Sequence, residues 1–207
     1  MAELNPCMHN GQLYNNNDPE LFRAQMECRA LIHQYNQMDP RDTERQQAVF
    51  SRIFAEVGEH CYFEPPFNAN WGCFTHLGKY VYANFNLTLV DDGEIFIGSH
   101  TMIGPNVTLV ATGHPVRPDL RYQGAQYSLP VHIGENVWIG ANVTVLPGGT
   151  IGDNAVIGAN SLVTKDIPAN TVAYGSPCKV IREINERDDV YYWRDRQFSE
   201  RFKLKEQ

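Results

Sequence analysis

An aliphatic residue recurs every six positions at Ile133, Ile139, Val145, Ile151, Ile157 and Val163. Gly follows four of them, at Gly134, Gly140, Gly152 and Gly158, and Asn stands two further on at Asn136, Asn142, Asn154 and Asn160. Neither the 3.6-residue turn of a helix nor the two-residue alternation of a strand calls for a period of six. A coil of short parallel strands does: each unit makes one strand and one turn, with its central aliphatic side chain inward. Gly permits close backbone approach, and Asn is among the few residues that enter the left-handed region at a corner. The period therefore predicts a parallel β-helix.

Upstream, the same phase is visible at Leu77, Ala83 and Leu89, then, after two extra residues, at Ile97, Ile103 and Leu109. The next position in step is Ile133, twenty-four residues on where six would suffice. About eighteen residues, 113–130, thus leave the coil in a polar excursion rich in Pro and Gly. Long insertions on regular scaffolds commonly carry function.

Before the coil, Asp18-Pro19 offers an N-cap and a first-turn proline. Leu21, Phe22, Met26, Leu31, Ile32 and Tyr35 give a helical apolar face through Asn36. Asp39-Pro40 interrupts it, and a second helix carries Val49, Phe50, Ile53, Phe54 and Val57 to Gly58. Such a pair suits the open end of a coil, which would otherwise expose apolar side chains and unpaired edges. The expected plan is a helical cap over 1–60, a coil over 61–176 with its excursion at 113–130, and a partly helical tail over 177–207.

With 43% hydrophobic residues in 207, the chain can bury one substantial core. A net charge of −7 argues against a nucleic-acid partner. Five cysteines, scattered without a CxxC pair, read as free thiols in a reducing cytoplasm. No basic-then-apolar leader and no apolar run of about twenty residues is evident, so neither export nor a membrane span is expected.

Asn84-Phe85-Asn86, Val90-Asp91-Asp92, Thr112-Gly113-His114-Pro115, the run from Ile133-Gly134-Glu135-Asn136 through Val137-Trp138-Ile139-Gly140, and Val163-Thr164-Lys165-Asp166-Ile167-Pro168 carry a resemblance. Together they closely resemble the galactoside and maltose O-acetyltransferases, members of the hexapeptide-repeat acyltransferase family. The galactoside branch is the nearer, because the tail continues well past Ile181. The resemblance implies a mainly β fold, a left-handed parallel β-helix with three units per turn. The twelve in-step positions would make about four turns. It also implies a homotrimer with active sites between neighbouring subunits, the excursion reaching toward a neighbour. The reaction implied is acetyl transfer from acetyl-CoA to a sugar hydroxyl, without a metal.

Roles carry over position by position. His114, where the repeat breaks, matches the general base, and direct attack in a ternary complex is expected. Asn16, Asn70, Tyr82, Asn84, Asp92 and Gln126 match acceptor-binding positions. Asn84, Trp138, Ala141, Ala159, Thr164, Lys165, Lys179 and Arg182 match acetyl-CoA-binding positions, the Ala141 N–H facing the thioester oxygen. Trp138 precedes an inward aliphatic and should point outward. Departures from the family pattern concentrate on the acceptor side: Asn16 where an acid is usual, with Asp18 nearby; Gln25 where Arg is usual, with Arg23 two positions earlier; Asn70 for Asp or Ser; and Gln126 for Met or Glu. Three other readings stay open. One is a hydroxyl acceptor that is not a sugar, such as an antibiotic. Another is a zinc-dependent carbonic anhydrase-like lyase drawing on His76, His100, His114 or His132. The third is a non-catalytic trimeric scaffold.

Overall fold

The computed structural model describes residues 6–15, 17–199 and 202. Its body is a parallel β-coil with three faces. The first face stacks Glu56–Val57, Thr75–Leu77, Ile95–Ile97, Val131–Ile133 and Thr150–Ile151, with Ile167 bridging to Ile151 at its end. The second stacks Tyr62–Phe63, Tyr82–Ala83, Met102–Ile103, Trp138–Ile139, Val156–Ile157 and Thr171–Tyr174. The third stacks Asn68–Ala69, Thr88–Val90, Thr108–Val110, Thr144–Val145 and Leu162–Val163. Parallel pairing aligns the hexad residues: Ala83 with Ile103, Ile139 with Ile157, and Leu109 with both Leu89 and Val145. All twelve in-step positions are buried, none more than 3% exposed.

The corners work as the sequence requires. Asn86, Asn106, Asn136, Asn142, Asn154, Asn160 and Asn170 have φ between 53° and 61°. Their amides ladder from turn to turn, Asn136 donating to Asn154 and Asn154 to Asn170, both at 2.9 Å. Gly140 is required by proximity, since a Cβ there would lie 2.7 Å from the Ala159 nitrogen.

Two corrections concern the coil's ends. The second helix stops at Ile53, and Val57 lies in a strand paired with Leu77. The period of six therefore starts at Val57, Phe63 and Ala69, a turn earlier than Leu77. With Ile167 and Ala173 at the far end, the second face has six parallel strands, so the coil makes about six turns rather than about four. The first turn is hard to see because Pro65-Pro66 and the aromatics Tyr62, Phe63 and Phe67 interrupt its aliphatic signal.

Helix α1 (Pro19–Asn36) begins where expected, the Asp18 carboxylate accepting from the Glu20 N–H at 2.8 Å. Leu21, Ile32 and Tyr35 are buried, but Phe22 is 61% exposed and does not join the apolar face. Helix α2 (Thr43–Ile53) lays Phe50, with Phe54 just beyond it, against Phe63 of the first turn, ring centroids 5.1 and 5.3 Å away. Tyr35 Oη donates to the Phe63 carbonyl at 2.6 Å, and the Asn36 amide holds both backbone groups of Phe67. The helical pair thus closes the coil's open end. Through residue 199 the tail forms strands where helix was expected: Lys179–Glu183 runs antiparallel to Thr171–Tyr174, and Tyr191–Trp193 pairs with Arg196–Gln197. Among the described residues no helix is long and apolar enough to cross a membrane.

Candidate active site

Irregularity gathers on one edge of the coil, between the third face and the first. Two successive turns carry two surplus residues there, between Ala69 and Leu77 and between Leu89 and Ile97. The next turn carries the whole excursion. In a regular hexapeptide coil this corner would have no room for buried carboxylates; the surplus makes it.

Asp91 is wholly buried and accepts from the Trp71 N–H at 2.9 Å, the Gly72 N–H at 2.6 Å and Thr75 Oγ1 at 3.1 Å. Burial pushes its carboxyl up to about 7, against the pull of these donors. Asp91 pins the corner. Asp92, 3% exposed, accepts from Asn70 Nδ2 at 2.6 Å and from Trp71 Nε1 at 3.2 Å, one donor on each oxygen. Asn70 Oδ1 in turn accepts from Arg29 Nη2 at 3.2 Å. Arg29 and Trp71 are absent from the sequence-based set. Arg29 stands four residues after Gln25 on α1, so both project from one helix face. The missing arginine at 25 was legible; its neighbour one turn later was the available signal.

The excursion is less loose than its composition implies. Thr112–Gly113 pairs antiparallel with Ala125–Ser128, which pairs in turn with Tyr14–Asn15, and a short helix α3 (Pro118–Tyr122) forms its tip. Val116 and Tyr122 at that tip are more than nine-tenths exposed. His114 leaves the first of these strands with its ring exposed, Nδ1 lying 2.9 Å from the Ala125 carbonyl. A carbonyl only accepts, so Nδ1 carries the proton and Nε2 presents its lone pair. Gln126 is buried, its amide donating to Tyr14 Oη. Tyr14 Oη lies 2.9 Å from Ser128 Oγ, which donates to the Asp92 carbonyl at 3.2 Å. Gln126 is thereby tied into the corner. Asn16 lies outside the described residues, and Asp18 uses a carboxylate oxygen to cap α1.

The neighbouring edge, between the second and third faces, is regular. Pairing stacks Asn84, Gly104, Gly140 and Gly158 in one column and Phe85, Pro105, Ala141 and Ala159 in the next. The Phe85 N–H donates to Asn84 Oδ1 at 2.8 Å, the Asn84 NH₂ makes no hydrogen bond among the described residues, and Pro105 has no N–H. The Ala141 and Ala159 N–H groups make no hydrogen bond among the described residues. Two unclaimed donors thus sit one above the other. On the second face Trp138 is 53% exposed, pointing outward as expected, and Tyr82 Oη donates to Glu64 at 3.3 Å. Thr164 and Lys165 are exposed at the end of the third face, and Lys179 and Arg182 lie on the antiparallel strand. Arg182 is engaged: its two terminal nitrogens grip Asp188 at 2.6 and 2.8 Å.

Within the chain, then, Asn70, Asp92, Gln126 and His114 share one edge, while Asn84, Ala141 and Ala159 share another. Asn84 precedes and Asp92 follows the same strand, Thr88–Val90, so the two sets face different ways. The four histidines of the zinc reading do not converge within the chain: His76 and His132 stack on opposite sides of Phe96, and His100 stacks on Tyr80. Among the described residues no group of three or more His, Cys, Asp or Glu is placed to hold a metal ion.

Residues 7–58 match the model of the maltose acetyltransferase hexapeptide capping motif, and residues 130–165 match that of the bacterial transferase hexapeptide, six repeats. A galactoside O-acetyltransferase from Lactococcus lactis is 53% identical over 186 residues, 89% of this chain and 90% of its own. A solved galactoside acetyltransferase in complex with coenzyme A superposes with a TM-score of 0.89 at 48% identity, over 91% of this chain and 94% of that one. A maltose O-acetyltransferase from Clostridium difficile gives a TM-score of 0.84 at 40% identity, over 86% and 96%.

Proposed function

Because this chain belongs to the galactoside and maltose O-acetyltransferase family of hexapeptide-repeat acyltransferases, with their left-handed β-helix, we propose that it moves an acetyl group from acetyl-CoA to a hydroxyl of a sugar. The observation that carries this reading is the His114 ring, held by the Ala125 carbonyl in the tautomer a general base needs. An alcohol is a weak nucleophile at neutral pH, and a neutral imidazole is suited to take its proton. As the acceptor oxygen bonds to the thioester carbon, Nε2 receives the hydroxyl proton. The tetrahedral oxyanion collapses, the carbon–sulfur bond breaks, and the coenzyme A thiolate takes that proton back. No covalent enzyme intermediate is needed.

The free Ala141 N–H is suited to the developing oxyanion, and the unengaged Asn84 NH₂ to the same thioester end. Trp138 offers a flat apolar wall for the pantetheine arm, with Ala159, Thr164 and Lys165 continuing along the coil and Lys179 and Arg182 near the nucleotide phosphates. On the acceptor side, Asp92 keeps one unused lone pair on each carboxylate oxygen, and Asn70 orients it; Tyr82 walls the pocket. The two sets occupy different edges, so we infer a homotrimer in which one subunit's His114 edge meets a neighbour's Asn84 and Ala141 edge. Sedimentation giving a monomer with full activity would overturn that assembly.

The acceptor reading is tested by following acetyl-CoA consumption over galactosides, glucosides, maltose and hydroxyl-bearing antibiotics. Turnover on at least one sugar is the expected result. Activity confined to antibiotics, or absent throughout, would replace the sugar with another acceptor. A second expectation concerns Arg182. Its exposed pair with Asp188 is worth at most about 1 kcal/mol, so Asp188→Asn should free the guanidinium for phosphate. The KM for acetyl-CoA should fall by up to about five-fold, with kcat unchanged. A rise in KM would remove Arg182 from the phosphate site.

A further inference from the structure

Cys28 and Cys73 are 45 residues apart in sequence, yet their sulfurs lie 3.8 Å apart. Both are half-buried and free. Cys28 belongs to α1, while Cys73 follows Trp71-Gly72 in the widened corner, immediately after the backbone that holds Asp91. Nothing in the acetyl-transfer chemistry calls for this pair. We propose that Cys28 and Cys73 form a peroxide-reactive dithiol, whose oxidation to a disulfide ties α1 to the corner that carries Asn70 and Asp92.

A disulfide requires the sulfurs to close to about 2.05 Å, a movement of about 1.8 Å that side-chain rotation can share. The thiols are also unequal. The hydrogen bond the two thiols share lowers the Cys28 thiol, whereas that bond and burial raise Cys73. Written with Cys28 attacking and Cys73 resolving, the oxidation runs in two steps. In the first step the Cys28 sulfur bonds to one peroxide oxygen, the O–O bond breaks, and the departing hydroxide leaves as water after taking a proton. In the second, the Cys73 sulfur attacks the resulting sulfenic acid, the S–S bond forms, and water departs with the Cys73 proton. Two electrons from the thiols reduce one peroxide to two waters, and a small dithiol restores both cysteines.

The test treats the intact protein with stoichiometric hydrogen peroxide, then alkylates, weighs and digests it. The expected result is a loss of about 2 Da, two thiols protected from alkylation, and a linked peptide pair holding Cys28 and Cys73, all reversed by dithiothreitol. Cys28→Ser and Cys73→Ser should each abolish the link, while Cys61→Ser and Cys178→Ser should leave it. Full alkylation after oxidation, or a link that includes Cys7 instead, overturns the proposal. The tether's consequence rests on the acceptor edge proposed above: the acceptor KM should change at least two-fold with the KM for acetyl-CoA unmoved. A bridged protein with an unchanged acceptor KM overturns that consequence. If the acceptor reading itself is wrong, reduced and oxidised protein alike will lack turnover on sugars while the bridge still forms.

Discussion

His114→Ala should fold, bind coenzyme A as the parent does, and lose about 10²- to 10⁴-fold in kcat, the usual share of a general base. Folding should be unaffected because the ring is exposed and, among the described residues, makes one hydrogen bond, to the Ala125 carbonyl. Coenzyme A affinity should hold because the residues assigned to it lie on the other edge. Thermal denaturation, coenzyme A titration and steady-state kinetics on the best sugar separate these quantities. Undiminished turnover would remove His114 from the mechanism. A loss of coenzyme A affinity matching the loss of turnover would reassign it to donor binding.

Ala141→Pro should cost about 10²- to 10³-fold in kcat, the range for removing one backbone donor to an oxyanion, while leaving the coil intact. Proline normally endangers a β-coil by deleting a ladder donor and fixing φ. Here the Ala141 N–H is not in the ladder, and Pro105 occupies the equivalent corner one turn earlier, also after a glycine. The fold therefore already accommodates this change at that place. Ala141→Gly, which keeps the N–H, should retain activity, and circular dichroism should not distinguish either variant from the parent. Full activity in a well-folded Ala141→Pro protein would move the oxyanion donor elsewhere, with the Asn84 amide the next to examine.

The regular parts of the molecule were legible because each hexad repeats one local solution: an inward aliphatic, a glycine where backbones touch, an asparagine at positive φ. Where that signal was diluted, reading stopped short. Val57 passed for the last apolar residue of a helix, although Phe63 and Ala69 follow it in perfect phase. Val180 and Ile181 fall outside the six-residue period, yet the edge strand Thr171–Tyr174 of the coil recruits them as an antiparallel partner. On the acceptor side, Asn70 and Asp92 were named, whereas Arg29 and Trp71, which complete their hydrogen bonds, were not. Those partners are 41 and 21 residues from the groups they hold.

By itself the sequence determined the coil, its phase and the two places where the phase fails, since each depends on spacing along the chain; His114 came forward through the family resemblance. Tertiary structure decided the rest. It showed that both failures fall on one edge, that Asp91 is buried to hold that edge open, and that the Ala141 and Ala159 donors stand unclaimed on the next. It also brought Cys28 to Cys73. The physical reason is common to all of these: stacking places together residues one turn or more apart, and surplus residues at a corner set which side chains meet there. A period announces the stack, but the contacts at its interruptions exist only once the chain has closed.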